Sequence, residues 1–156
     1  MRHRNTISLV LIAATMVLLT SCAKPETSPG LTPAVVHFPV MQVAYVDGAA
    51  KYTEVKDFNK TVTESTIPVF VDFWATWCPP CKLSGPFVET LAKEYEGRIL
   101  ILKVDVDDMN TLASSFNVQS IPSFFTIRDG TIQDSVVGYA PSLDDQIRAM
   151  IDATLS

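Results

Sequence analysis

The sequence predicts an α/β fold, a central mixed sheet of four to five strands flanked by helices on both faces. Three observations lead there. Two short runs, 67–74 (IPVFVDFW) and 99–104 (ILILKV), are almost continuously apolar and rich in β-branched and aromatic residues, as strands buried on both faces are. Stretches with helical spacing alternate with them, the pattern of parallel strands joined by helices. Near the end, Asp129-Gly130 stands between two further strand-like runs, a hairpin signal that adds an antiparallel edge.

The elements follow in order. Tyr52 to Val55 suits a short strand and Asp57 to Thr63 a short helix. Ile67 to Trp74 is the first buried strand, and its single charge, Asp72, is conspicuous there. After Cys81, the apolar residues Leu83, Phe87, Leu91 and Tyr95 recur every four positions, a helix stripe that should face the core. Pro86 should kink that helix and Gly97 should stop it. Ile99 to Val104 is the second buried strand. Asp107 or Asp108 can cap a helix running to about Phe116. Ser123–Arg128 and Thr131–Val137 form the hairpin. Ser142 is placed to start a last helix, with Asp145 three residues on and Leu143, Ile147, Met150 and Ile151 as its apolar face.

The chain is long enough for one such domain and an appendage. Of its 156 residues 47% are apolar and 19% charged, a balance that favours a packed core over disorder. The net charge is -5 and no basic cluster occurs, so no nucleic-acid partner is expected.

Residues 1–21 are expected to lie outside the fold as a signal peptide. Met1 to Arg4 is a short positive segment, and Ile7 to Leu19 is an apolar run too short to span a bilayer comfortably. Leu19-Thr20-Ser21-Cys22 then resembles a lipobox, the signal-peptidase II recognition sequence of bacterial lipoproteins. That resemblance implies cleavage before Cys22, with lipid on its sulfur and new amino terminus. The plainer alternatives are an ordinary secretory signal with a chance cysteine, or an uncleaved anchor. A lipidated Cys22 cannot enter a disulfide, which leaves Cys78 and Cys81 of the three cysteines. Several acyl chains would anchor the protein to a membrane, outside the cytoplasm, where disulfides persist. Ala23 in place of an Asp after Cys22 suggests the outer rather than the inner membrane, facing the periplasm, where the host has an outer membrane.

Residues 22–49 then comprise the lipidated cysteine, a Pro-, Ser- and Thr-rich tether (23–34) and a more apolar stretch ending at Asp47-Gly48, expected as a short docked extension. The folded domain is expected over residues 50–156.

The chemistry concentrates at Trp77-Cys78-Pro79-Pro80-Cys81, just after a buried strand and at the opening of a helix. A Cys-x-x-Cys so placed is a redox motif. A thiolate attacks a disulfide, and the free N–H groups of a helix N-terminus favour a thiolate on the first cysteine. The second cysteine, less than one turn on, can close a ring. The alternative, half of a zinc site, lacks further ligands: His3 leaves with the signal and His37 lies before the domain. No metal is expected, and no cofactor beyond the cysteine pair.

The segment 71–82 (VDFWATWCPPCK) resembles the active-site segment of the thioredoxin family. Lys103 and Asp105, Ile121-Pro122 and Gly138 match later markers of that family in the same order. The resemblance implies the thioredoxin fold over roughly residues 50–156 and a thiol–disulfide oxidoreductase. Cys78 would attack a substrate disulfide and Cys81 would resolve the mixed disulfide, so that Cys78-Cys81 is the redox disulfide. Asp72 would exchange a proton with Cys81, with Lys103 as its electrostatic neighbour. Pro122 would be cis, and Trp77, Pro79, Ile121, Pro122 and Gly138 would bind substrate. A purely structural Asp72–Lys103 pair is the duller account.

Two departures bear on direction. The dipeptide between the cysteines is Pro-Pro, and Ser120 stands where the family commonly has glycine. Pro79 and Pro80 have no N–H to offer a thiolate, which favours a reductant over a strong oxidant. The expected partners are disulfide-containing envelope proteins, a thiol protein of the membrane as electron donor, and the membrane itself through the lipid. A dedicated apocytochrome c reductant and a redox-inert binding or assembly module are the alternatives.

Overall fold

The two apolar runs meet at the centre of the sheet. In the computed structural model, which describes residues 38–156, β3 (Val69–Trp74) and β4 (Leu100–Asp105) lie side by side and parallel. All of β3 except Trp74 and all of β4 except Leu100 are buried, which is why neither run alternates. β5 (Ser123–Arg128) pairs antiparallel with β3, and β6 (Thr131–Val137) with β5. Asp129 and Gly130 turn this hairpin with φ of 52° and 70°, the left-handed pair that such tight turns need. Cys22 and the segment read as signal and tether, to residue 37, lie outside the described residues.

The sheet has six strands rather than four to five, in the order β2-β1-β4-β3-β5-β6. The addition is β1 (Val40–Val46), drawn from the stretch expected as a docked extension. It pairs antiparallel with β4 on one side and with β2 (Ala49–Glu54) on the other. Val40 and Val43 are buried, so this strand contributes to the core. Asp47-Gly48 turns β1 into β2 with the same positive-φ pair, 54° and 83°.

Helices cover both faces. α1 (Phe58–Glu64) starts where expected, its Asp57 cap accepting the Lys60 N–H at 2.9 Å. α2 (Pro79–Glu94) contains Pro86 without ending there. Its buried residues are Cys81, Ser84, Phe87, Val88, Leu91 and Ala92, whereas Leu83 is 66% exposed, against the stripe expected from sequence. A step of four residues overshoots a 3.6-residue turn by about 40°, so a strict four-residue repeat drifts off the core face. α3 (Asn110–Ser115) begins after Met109 with no side-chain cap: the helix starts too late for Asp107 or Asp108 to stand at its N-cap, and Asp107 instead accepts the Trp77 indole N–H. α4 (Asp144–Leu155) follows a 3-10 turn at Pro141–Leu143, so Ser142 does not cap it.

Phe70, Ile101 and Phe124 of the sheet pack with Phe87, Leu91 and Ile151 on the α2/α4 side. Val71, Val104 and Phe125 pack with Phe58, Val62 and Ala113 on the α1/α3 side. Side chains alternate along a strand, so Asp72 and Trp74 share the α2 side with Phe70.

Candidate active site

Cys78 occupies the junction between the end of β3 and the start of α2. Its backbone is extended (φ -85°, ψ 108°) and it serves as the N-cap of α2. The cap is its own sulfur: the Cys81 N–H donates to Cys78 Sγ at 3.2 Å. Pro79 and Pro80 fill the first two helical positions, where a missing N–H breaks no intrahelical bond. Cys81 is thus the first residue of the helix with an N–H to give. The two sulfurs are joined in a disulfide, with Cα atoms 5.3 Å apart.

Both cysteines are only 2% exposed. They pack with Ala75, Trp74, Val106 and Ile121. Cys78 opens onto a cleft of about 420 Å³ lined by Trp77, Pro79, Pro80, Val106 and Ile121, with Gln119 and Ser120 as its polar part. Ser120 is also held internally, its carbonyl accepting the Ser123 hydroxyl at 2.6 Å.

The loop before β5 faces the disulfide. Ile121-Pro122 is cis, and the Ile121 carbonyl oxygen lies 3.7 Å from Cys78 Sγ. Gly138 adopts φ +82°, a conformation that side chains disfavour. Its N–H donates to the Pro122 carbonyl at 2.7 Å and ties the end of β6 to this loop. Of the residues predicted to bind substrate, Trp77, Pro79 and Ile121 line the cleft, whereas Pro122 is buried and Gly138 joins the site only through this bond to it.

Trp77 is 62% exposed, yet not loose. Its indole Nε1–H donates to Asp107 Oδ2 at 2.8 Å. Sequence reasoning read Asp107 as a helix cap and missed this role. The available signal was the acidic cluster directly after β4, the strand beside the one leading to the cysteines. The cleft residues Val106, Ala113 and Val118 were also missed, because from sequence they are indistinguishable from core positions.

A buried charge couple spans the two central strands. Asp72 is fully buried and Lys103 is 5% exposed. They are register partners across β3 and β4, and Lys103 Nζ donates to Asp72 Oδ2 at 2.5 Å. The ammonium also lies 4.8 Å from the centre of the Trp74 ring, a second source of electrostatic stabilisation. Asp72 Oδ1 has no hydrogen-bond partner among the described residues. A buried carboxylate oxygen with a free lone pair can accept a proton. Among the described residues no group of three or more His, Cys, Asp or Glu stands ready to hold a metal.

Comparison with known proteins agrees with this geometry. The family model described as Thioredoxin matches residues 49–153. The chain is 42% identical over 101 residues to a chloroplastic M-type thioredoxin of Spinacia oleracea, a match covering 60% of this chain and 56% of the spinach protein. It is 41% identical over 95 residues to a thioredoxin of Chlorobaculum thiosulfatiphilum, covering 60% of this chain and 88% of that one. A thioredoxin of Staphylococcus aureus is 48% identical over 85 residues, covering 54% and 80%.

Proposed function

The chain belongs to the thioredoxin family and is a thiol–disulfide oxidoreductase, and we propose that it works as a lipid-anchored protein-disulfide reductase outside the cytoplasm. One observation carries the redox assignment: Cys78 and Cys81 stand at the first turn of α2 in a closed disulfide beside an apolar cleft. The direction rests on the first turn of α2. Two of its three leading positions are prolines, so a Cys78 thiolate gains a single backbone donor, from Cys81. Weak thiolate stabilisation favours giving electrons away.

The Cys78 thiolate attacks one sulfur of a substrate disulfide; a mixed disulfide forms and the other substrate sulfur leaves as a thiolate. Cys81 loses its proton, with Asp72 as acceptor, and attacks Cys78 Sγ. The mixed disulfide breaks, the second substrate sulfur leaves and takes up a proton, and the Cys78–Cys81 bond closes. Two electrons have passed from the protein to the substrate. An external dithiol must return them, and a thiol protein of the membrane is the proposed donor.

The anchor and location are supported by the order of features in residues 1–22: positive charge, apolar run, then Leu19-Thr20-Ser21-Cys22. The proposed substrates are disulfide-containing envelope proteins. Reduction of insulin disulfides by the wild type and by Cys78→Ser tests the activity. Turnover by the wild type and none by the variant is expected; equal rates would point to a redox-inert binding module instead.

A further inference from the structure

The end of the sheet that carries the disulfide is also the end at which the described chain begins. β1 runs antiparallel to β4, so its first residues stand beside the last residues of β4. Val40 is opposite Val104, and the Asp105 N–H donates to the Pro39 carbonyl at 2.9 Å. From Asp105 the chain passes straight into the site. The Val106 N–H donates to the Trp74 carbonyl at 3.0 Å, Val106 lines the cleft, and Asp107 holds Trp77. Pro39 and Trp74 flank Asp105 on either side, so two strand spacings, about 10 Å, separate them.

The other terminus leaves from the opposite end. Arg128, the last residue of β5, donates from its guanidinium to the Thr154 carbonyl at 2.6 Å, close to the terminal Ser156. β3 is six residues long, and a strand of that length sets the two ends of the sheet about 20 Å apart.

We propose that the disulfide end of the domain faces the membrane, and that its partners are proteins held at that same membrane surface rather than freely diffusing ones. The proposal rests on the lipid-anchor reading above. A lipid on Cys22 would hold the domain through the chain from 22 to 39, which cannot stretch beyond about 60 Å. The chain joins the domain beside Asp105, next to the cleft and about 20 Å from the Arg128 end. Tethering at the reactive end raises the effective concentration of the cysteines for a membrane-held disulfide or dithiol, and leaves it unchanged for a diffusing one.

The test does not depend on lipidation in cells. With Cys78–Cys81 closed, Cys22 is the remaining thiol of the three cysteines, so a maleimide lipid can be attached there to the chain beginning at Cys22. The comparator carries Cys22→Ser, with residues 23–38 repeated after Ser156 and ending in a lipid-bearing cysteine. Both are seated on phosphatidylcholine vesicles, reduced, and presented with a disulfide peptide, either free or anchored to the same vesicles. Equal rates are expected on the free peptide, and at least about twofold faster reaction of the Cys22-held form on the anchored one. Equal or reversed rates on the anchored peptide overturn the proposal. If neither form reduces the free peptide, the oxidoreductase reading fails and the proposal with it. Mass spectrometry of Cys22 from cells tests the anchor itself; an unmodified Cys22 in a water-soluble protein overturns that reading and, with it, the facing of the site toward a membrane.

Discussion

Lys103 and Asp72 face each other across parallel strands, the ammonium donating to one carboxylate oxygen at 2.5 Å while the other oxygen has no hydrogen-bond partner among the described residues. A couple designed only for stability would be a poor choice in this place. Removing two charges from water costs several kcal/mol each, and a well-packed apolar pair is often as stable or better. The Asp72→Leu, Lys103→Met double variant is therefore expected to match or exceed the wild type by about 1–4 kcal/mol in urea unfolding. Its disulfide turnover should fall on the order of 100-fold, the scale of a lost proton-transfer group. Lys103→Met alone leaves a buried carboxylate without its partner and should cost about 3 kcal/mol. Unchanged turnover in the double variant would make the couple structural only.

Asp107 is expected to act through Trp77. Asp107→Ala removes the acceptor that holds the exposed indole. Stability should change by no more than about 0.5 kcal/mol, since both groups are at the surface. KM for a protein disulfide should rise roughly two- to tenfold, the range of one lost hydrogen bond, with kcat for a small disulfide unchanged. A fall in kcat alone would place Asp107 in the chemistry rather than in docking.

The β1–β2 hairpin should behave as part of the core. Val43 is 3% exposed and packs on the α2 side. Val43→Ala is expected to lower unfolding stability by about 1.5–3 kcal/mol, from lost burial plus the cavity. A change below about 0.5 kcal/mol, as for a surface site, would show that the hairpin is only loosely docked.

Glu94 and Arg148 offer a pH-dependent contribution. The bidentate hydrogen bond from Arg148, at 2.8 and 3.1 Å, holds the Glu94 carboxyl below its usual range. A depressed carboxyl pKa stabilises the fold above the ordinary glutamate pKa, and the contribution is lost as the pH falls through the lowered value. The Glu94 side chain is 39% exposed, so screening keeps the effect small. Glu94→Gln should be less stable than the wild type at pH 7 by under about 1 kcal/mol. The gap should close as the medium is made acidic enough to protonate Glu94. A gap that persists in acid would show packing, not charge, to be its source.

The parts of this molecule that were legible in the sequence are those where one force dominates. The strands β3 and β4 are buried on both faces, so an unbroken apolar run suffices to mark them. Asp129-Gly130 was legible because β5 before it is buried up to Arg128 and carries Phe124, Phe125 and Ile127. Asp47-Gly48 carries the same dipeptide and turns the same way, yet its hairpin was not recognised. β2 (AAKYTE) is an edge strand exposed along nearly its whole length, so burial imposes no apolar pattern on it. The caps failed for a different reason. Asp107 accepts the Trp77 indole N–H, a partner 30 residues away that no local spacing announces, and Ser142 falls inside a 3-10 turn that precedes α4. At the site, the cysteines and Asp72 were legible as departures from their surroundings, thiols at a helix start and a charge in a buried strand, whereas the cis Pro122 was legible only through the family resemblance. The cleft walls Val106, Ala113 and Val118 depart from nothing.

The most direct test of the central claim is a redox titration of the purified protein in glutathione buffers, followed by alkylation and mass measurement of each thiol. Cys78 and Cys81 are expected to convert together, as one two-electron couple between the dithiol and the internal disulfide, and Cys78→Ser should abolish the transition. If the two thiols stay reduced across the whole range, or oxidise independently onto glutathione without forming the internal bond, the assignment of this protein as a thiol–disulfide oxidoreductase is contradicted.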